Sequence, residues 1–281
     1  MFLCTGMATG MLAVVDTIKN FEHDHLFHET AMKKIICLLA LALGLFSQTG
    51  QAQPTAAEPI RWVTAEFPPF IWLQKDVPQG YAYELIAAMS SQLGRQPDLT
   101  FYPWARVIKM GREGKSYGLF PLARTPERET SFKWLVPLSK VNYTFFGHRA
   151  GKVSIEKANI EQLRGLRIGI MRGSSLEKNL QSKNFRHIVY EKNYQDLLKM
   201  LSLGGIDAIY AGYPMLTSAV EEYGFNLDDF LTGISLGSAD LYLASSLGLH
   251  EKEEKAWKIA YETLQKDGTV MKLKNKYFSW D

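Results

Sequence analysis

Hydrophobic positions between residues 60 and 122 follow two alternating periods. The run Ile60-Arg61-Trp62-Val63-Thr64-Ala65 predicts a strand, closed by the turn Phe67-Pro68-Pro69-Phe70. Over 83–93 the spacing becomes helical, with Leu85, Ile86, Met89 and Leu93 on one face. Residues 99–102 predict a second strand, 105–111 a helix ended by glycine, and 118–122 a third strand. The order βαβαβ predicts a largely parallel sheet.

The same pattern then starts again. Residues 163–171 predict a strand that runs through Arg172-Gly173-Ser174-Ser175 into a helix from Leu176. A strand follows at 187–190. A helix follows at 194–203, with Leu197, Leu198 and Leu201 inward, and 206–210 close the unit with a strand. The stretch 251–278 reads as one helix whose buried stripe is Trp257, Ala260, Tyr261 and Leu264. Two similar α/β units in one chain predict two lobes with a cleft between them.

The start of the chain has a different character. Met32-Lys33-Lys34 is a basic opening, and 35–46 form an apolar run broken only by Gly44. Gly50-Gln51-Ala52 has the small-x-small pattern of a cleavage site, so 32–52 reads as a secretory signal peptide. Residues 1–31 look like no targeting element. They carry His23, His25 and His28, whose spacing leaves a metal site conceivable, and are expected to be an upstream artefact of a start at Met32. Cleavage after Ala52 leaves 229 residues with no cysteine, so the exported part makes no disulfide and needs its core alone. Its 29 Lys and Arg against 25 Asp and Glu are a mild bias that points to no nucleic acid.

Several short pieces recur in an order that resembles a known family. They are Phe67-Pro68-Pro69-Phe70; Gly80-Tyr81-Ala82-Tyr83-Glu84-Leu85; Thr125-Pro126-Glu127-Arg128; Leu166-Arg167-Ile168-Gly169-Ile170 leading to Gly173-Ser174-Ser175; Gly205-Ile206-Asp207-Ala208-Ile209; and Asp267-Gly268-Thr269 with Lys276-Tyr277-Phe278. Over about 60–278 the chain resembles the periplasmic solute-binding proteins, family 3, that serve polar amino acid ABC transporters. The resemblance implies the type II periplasmic-binding-protein fold. Each lobe would be a mixed, mostly parallel sheet flanked by helices. Lobe 1 would be 58–147 plus 237–281 and lobe 2 148–236. The crossovers would fall near Phe146-Gly147 and near 233–237, where glycines could absorb a hinge rotation.

The resemblance also suggests where a solute would sit. Arg128 falls where the family grips a carboxylate, and a guanidinium fork suits that anion. Ala123 replaces a hydroxyl residue common in relatives, and Pro121 keeps its carbonyl as an acceptor. Ser174 and Ser175 open a predicted helix, where unpaired N–H groups favour an anion. Arg172 lies just before them. Phe67 and Trp104 are expected to wall the solute, with Phe70, Trp72 and Tyr83 as further aromatic candidates and Arg106 as a second cation. The chain departs from the family at Gly212, where amino acid binders commonly carry an acid that meets the α-ammonium. Glu66, Glu84 or Asp240 could replace it, Tyr213 could offer a hydroxyl or ring face, or the solute is no standard α-amino acid.

These readings converge on a monomeric periplasmic binder of a small, polar, carboxylate-bearing solute. It would act with an ABC permease in the inner membrane and without a metal or organic cofactor. His148, His187 and His250 are scattered, and no nucleophile motif, H-E-x-x-H or P-loop is present. The alternatives are a periplasmic lyase or dehydratase on the same fold, with Glu66 or Glu84 moving a proton, and a binder that feeds a signalling receptor.

Overall fold

The computed structural model describes residues 58–278. The expected signal peptide, the segment before it and its histidine cluster lie outside these residues. In chain order the strands are β1 (Arg61–Thr64), β2 (Trp72–Gln74), β3 (Val77–Gln79), β4 (Leu99–Phe101), β5 (Tyr117–Ala123), β6 (Phe132–His148), β7 (Ile168–Met171), β8 (Ile188–Glu191), β9 (Ala208–Tyr213) and β10 (Phe230–Ser246). The helices are α1 (Tyr81–Gln92), α2 (Trp104–Glu113), α3 (Ile160–Arg164), α4 (Leu176–Gln181), α5 (Tyr194–Ser202), α6 (Met215–Glu222), α7 (Glu251–Lys266) and α8 (Thr269–Tyr277).

Eight strands form one sheet in the order β4-β1-β5-β10-β6-β9-β7-β8. Its two ends are parallel blocks: β4, β1 and β5 at one, β9, β7 and β8 at the other. Between them run β10 and β6, each of 17 residues and antiparallel to one another. Strand β5 pairs with β10 over Gly118–Ala123, and β9 pairs with β6 over Asn142–Phe146. The predicted two-lobed α/β architecture is therefore present, spliced by two long strands that the periodicity did not announce. Their apolar positions are broken by Pro137, Lys140 and Asn142 in β6 and by glycines and serines in β10, which masks a strand signal.

Other elements differ from expectation in instructive ways. The stretch 163–171 is not one strand: Leu163 and Arg164 end α3, which opens with a capping box between Asn159 and Gln162. The expected terminal helix is two helices, parted at Asp267-Gly268, with Gly268 in the left-handed region at φ 83°. The buried stripe Trp257, Ala260, Tyr261 and Leu264 is as expected.

Two glycines near the expected crossovers are closely packed. A Cβ at Gly147 would lie 2.1 Å from Ile155 Cγ1, and one at Gly233 would lie 2.5 Å from Ile155 Cγ2. These two glycines, expected to serve a hinge, grip the one-turn 3-10 helix Ile155–Lys157 between β6 and β10. Asp207, part of a family-like motif, is an ion-pair partner of Arg167 at 2.8 Å and also accepts the Arg167 backbone N–H. Among the described residues, no helix is long and apolar enough to cross a membrane.

Candidate functional site

A cavity lies where the two blocks meet. Its floor is the pair of splicing strands, through Val141 and Tyr143 of β6 and Leu241 of β10. From the first block come Phe67, Trp104, Pro121, Ala123 and Arg128; from the second, Ser174, Ser175, Leu176, Tyr194, Gly212 and Met215.

Local structure explains how each group arrives. Phe67 sits in a tight loop after β1, where its carbonyl accepts from Phe70 N and Ile71 N and its own N–H donates to Ile71 O. Trp104 opens α2 directly after Pro103, which suits a helix start. The two rings pack edge to face with centroids 4.8 Å apart, and Phe67 meets Tyr194 from the opposite block in the same way at 5.9 Å. These aromatics form a corner that spans the cleft.

Arg128 follows β5 in a turn closed by Arg128 N donating to Thr125 O. Its side chain is 5% exposed and forms no salt bridge among the described residues. It donates to Ala123 O at 3.2 Å in its own block and to Gly173 O at 3.1 Å in the other. Burial pushes its pKa down to about 10, with the Tyr143 and Glu127 oxygens opposing and Arg112 adding to the effect. Two neutral carbonyls leave most of the charge uncompensated. Nearby, Ser174 Oγ is buried without a partner. Tyr143 OH lies 3.5 Å from Ser175 Oγ, and burial pushes the phenols of Tyr143 and Tyr194 up, so both are neutral donors.

Seven of the nine residues expected at the site line this one cavity: Arg128, Phe67, Trp104, Pro121, Ala123, Ser174 and Ser175. Two do not. Arg172 continues the β7 ladder, its N–H donating to Glu191 O, and its exposed side chain lines a separate hollow with Trp104, Glu191 and Lys192. Tyr213 is 42% exposed. It follows Gly212 in β9, and strand alternation turns successive residues to opposite faces.

The other aromatic and charged candidates go elsewhere as well. Phe70 is fully buried against Tyr81 and Phe278. Trp72 packs on Tyr277, Tyr83 lies half-buried outside the cavity, and Arg106 stacks over the Tyr102 ring at 4.2 Å. The helix after Ser175, α4, has six residues, and Ser175 makes no capping bond. The serines contribute hydroxyls, and so short a helix supplies little dipole.

None of the acids considered as a substitute for the one missing at Gly212 reaches the cavity. Glu84 accepts from Lys276 and Tyr277, Glu66 lines a different hollow and accepts from Leu73 N, and Asp240 is exposed. Glu66 and Glu84, each considered as a group that could move a proton in a lyase, thus both lie outside this cavity. Sequence reasoning missed Tyr143, Tyr194, Val141, Leu176, Met215 and Leu241. Tyr194 was legible only as a helix start, and Tyr143 lies in the long strand that was not predicted.

At Gly173 the backbones of the two blocks come close together. The glycine's φ is 82°, and an added Cβ would lie 2.8 Å from Ala105 Cα on α2. Gly173→Ala is expected to force the blocks apart, at about 1–2 kcal/mol for the left-handed backbone alone. Small-angle scattering should register a larger radius of gyration; an unchanged radius would show that the approach tolerates a methyl group.

The chain belongs to the bacterial extracellular solute-binding proteins, family 3, whose pattern matches residues 60–279. It is 23% identical, over 89% of its length and 97% of the relative's, to the "Probable amino-acid-binding protein YxeM" of Bacillus subtilis (strain 168). Among solved structures it resembles a histidine kinase sensor domain with similarity to periplasmic binding proteins, with TM-score 0.71, 18% identity and coverage of 79% of this chain and 96% of that one. It also resembles an ancestral arginine-binding protein bound to arginine, with TM-score 0.68, 20% identity and coverage of 78% and 98%. At these identities the structural likeness carries the fold, and the type II periplasmic-binding-protein architecture agrees with it.

Proposed function

We propose that this protein captures a small carboxylate-bearing solute between its two lobes, after export to the periplasm, and delivers it to an ABC permease of the inner membrane. The lobes are taken as 58–147 plus 237–281 and 148–236. On β6, pairing with β10 runs from Phe132 to His148, and pairing with β9 begins at Asn142, slightly before that boundary. The observation that carries this reading is Arg128, a buried guanidinium in the cavity with carbonyls for partners and no carboxylate. Leaving such a charge unpaired is strongly unfavourable, and an incoming carboxylate relieves it through two parallel hydrogen bonds. In this reading the Ser174 hydroxyl, buried in the cavity wall without a partner, donates to the same anion.

In this scheme Phe67, Trp104, Pro121 and Ala123 hold the solute from lobe 1, and Ser174 and Ser175 meet it from lobe 2. Because the solute touches both lobes, it favours the closed arrangement. Thermal-shift measurements with purified protein against small carboxylic acids and their methyl esters test the proposal. An acid that binds should raise the melting temperature by mass action, and its ester should not. Equal stabilisation by acid and ester would reject the carboxylate reading.

A further inference from the structure

We infer that the solute is a carboxylic acid with an apolar or aromatic body and no α-ammonium group, such as a 2-oxo acid or an aryl-alkanoate. This inference rests on the proposed carboxylate-binding role of the cavity and narrows it. The cavity wall holds one formal charge, the Arg128 guanidinium, and no Asp or Glu. An acid with a single negative charge brings the filled site to neutrality. A zwitterionic amino acid adds a cation that nothing in the wall compensates, in the same low-dielectric space as Arg128. The nearby acids are not among the cavity's lining: Glu127 lines an adjoining hollow that shares Tyr143 and Ser175 with it, Glu191 one that shares Trp104, and Glu66 another.

What the wall does offer suits an apolar body. Val141, Leu176, Met215 and Leu241 are all buried and line the cavity together with the aromatic corner. The hydroxyls of Tyr143, Ser174, Ser175 and Tyr194 are neutral; they can donate to carboxylate or keto oxygens and bring no negative charge to an ammonium. Ring faces attract cations, but more weakly than an ion pair does in a desolvated site.

Gly212 gives the inference a structural lever. It pairs with Tyr143, and a Cβ built on it would lie 3.0 Å from Met215 Sδ and 3.6 Å from Val141, both cavity residues. A side chain at 212 therefore projects among the residues that line the cavity. The thioether is the end of a flexible side chain and can give way. Gly212→Asp places a carboxylate where the wild-type wall has none.

Matched pairs test this by calorimetry: phenylpyruvate and 3-phenylpropionate against L-phenylalanine, and 4-methyl-2-oxopentanoate against L-leucine. The amine-free member of at least one pair should bind at least about 100-fold more tightly. Gly212→Asp should shrink or reverse that ratio by tenfold or more. Gly212→Asn, neutral and of similar size, should keep the wild-type order. Amino acids that bind as tightly as their amine-free partners, with binding still lost in Arg128→Ala, would overturn this inference and leave the carboxylate role standing. If no acid of either kind binds, the carboxylate role fails and the inference falls with it.

Discussion

Arg128→Ala is expected to abolish solute binding at micromolar concentrations while the fold persists. Breaking a buried charge pair commonly costs about 3–5 kcal/mol, which is roughly 10²–10⁴-fold in affinity. Calorimetry on the variant reads this directly, and affinity within threefold of wild type would remove Arg128 from the site. Arg128→Lys should also bind weakly, because an ammonium cannot supply two parallel hydrogen bonds to a carboxylate. The solute-free protein should respond in the opposite sense. Burial holds the guanidinium pKa down to about 10, which corresponds to roughly 3 kcal/mol disfavouring the charged form in the fold. For a base with a depressed pKa this penalty is fully present at neutral pH. Arg128→Met, which fills the space without charge, should therefore unfold at a higher temperature than wild type when no solute is present. A residue that raises affinity and lowers stability is the expected mark of a binding site.

The second large effect is predicted for stability, at Glu253→Ala. This carboxylate on α7 is 6% exposed and ties three parts of the fold together. It accepts from Ile60 N at 3.1 Å at the mouth of β1, from Trp257 Nε1 at 2.8 Å, and from both terminal nitrogens of Arg95 beyond α1. Removing it leaves a guanidinium and two buried N–H donors without their acceptor, a loss of about 3–5 kcal/mol. Urea denaturation should show the midpoint falling at constant slope. A loss below about 1 kcal/mol would mean that water replaces the carboxylate. Glu253→Gln should fall between, since it keeps one acceptor and loses the charge. Burial pushes this carboxyl pKa up, but the hydrogen bonds from Arg95, Trp257 and Ile60 outweigh burial and hold it below the ordinary 4.5. With a depressed folded pKa, the stabilisation is complete above pH 4.5 and is lost as pH falls through the folded value. Wild type should therefore lose stability on acidification below pH 4.5 more steeply than Glu253→Gln does.

Some of the site was readable from the linear chain because its residues sit in short, local structures. Phe67 and Arg128 occupy tight turns whose chemistry is written in prolines, and Trp104 follows a helix-starting proline. Their positions depend on neighbours a few residues away. Arg172 and Tyr213 lie beside the cavity lining: Arg172 precedes the turn that carries Ser174, and Tyr213 follows Gly212, the strand residue that lines the cavity. Direction along a strand has a period of two, so neighbours in sequence there face opposite sides. Tyr143, Tyr194, Leu176 and Met215 come from four elements, and only the packing of lobe 2 against the splicing strands brings them to one wall.

The amino-acid pattern alone determined that the chain forms two α/β units, because burying one face of a helix or strand imposes a spacing that can be counted. It also determined which cation is available, since a fork-shaped donor after Thr125-Pro126-Glu127 is a local fact. Whether that cation meets an acid, which hydroxyls join it and what lines the remaining wall were decided only in three dimensions. Those questions concern groups brought together by β6 and β10 from positions as far apart in the chain as Phe67 and Leu241. No local period records such a meeting, because the free energy that enforces it comes from the whole core.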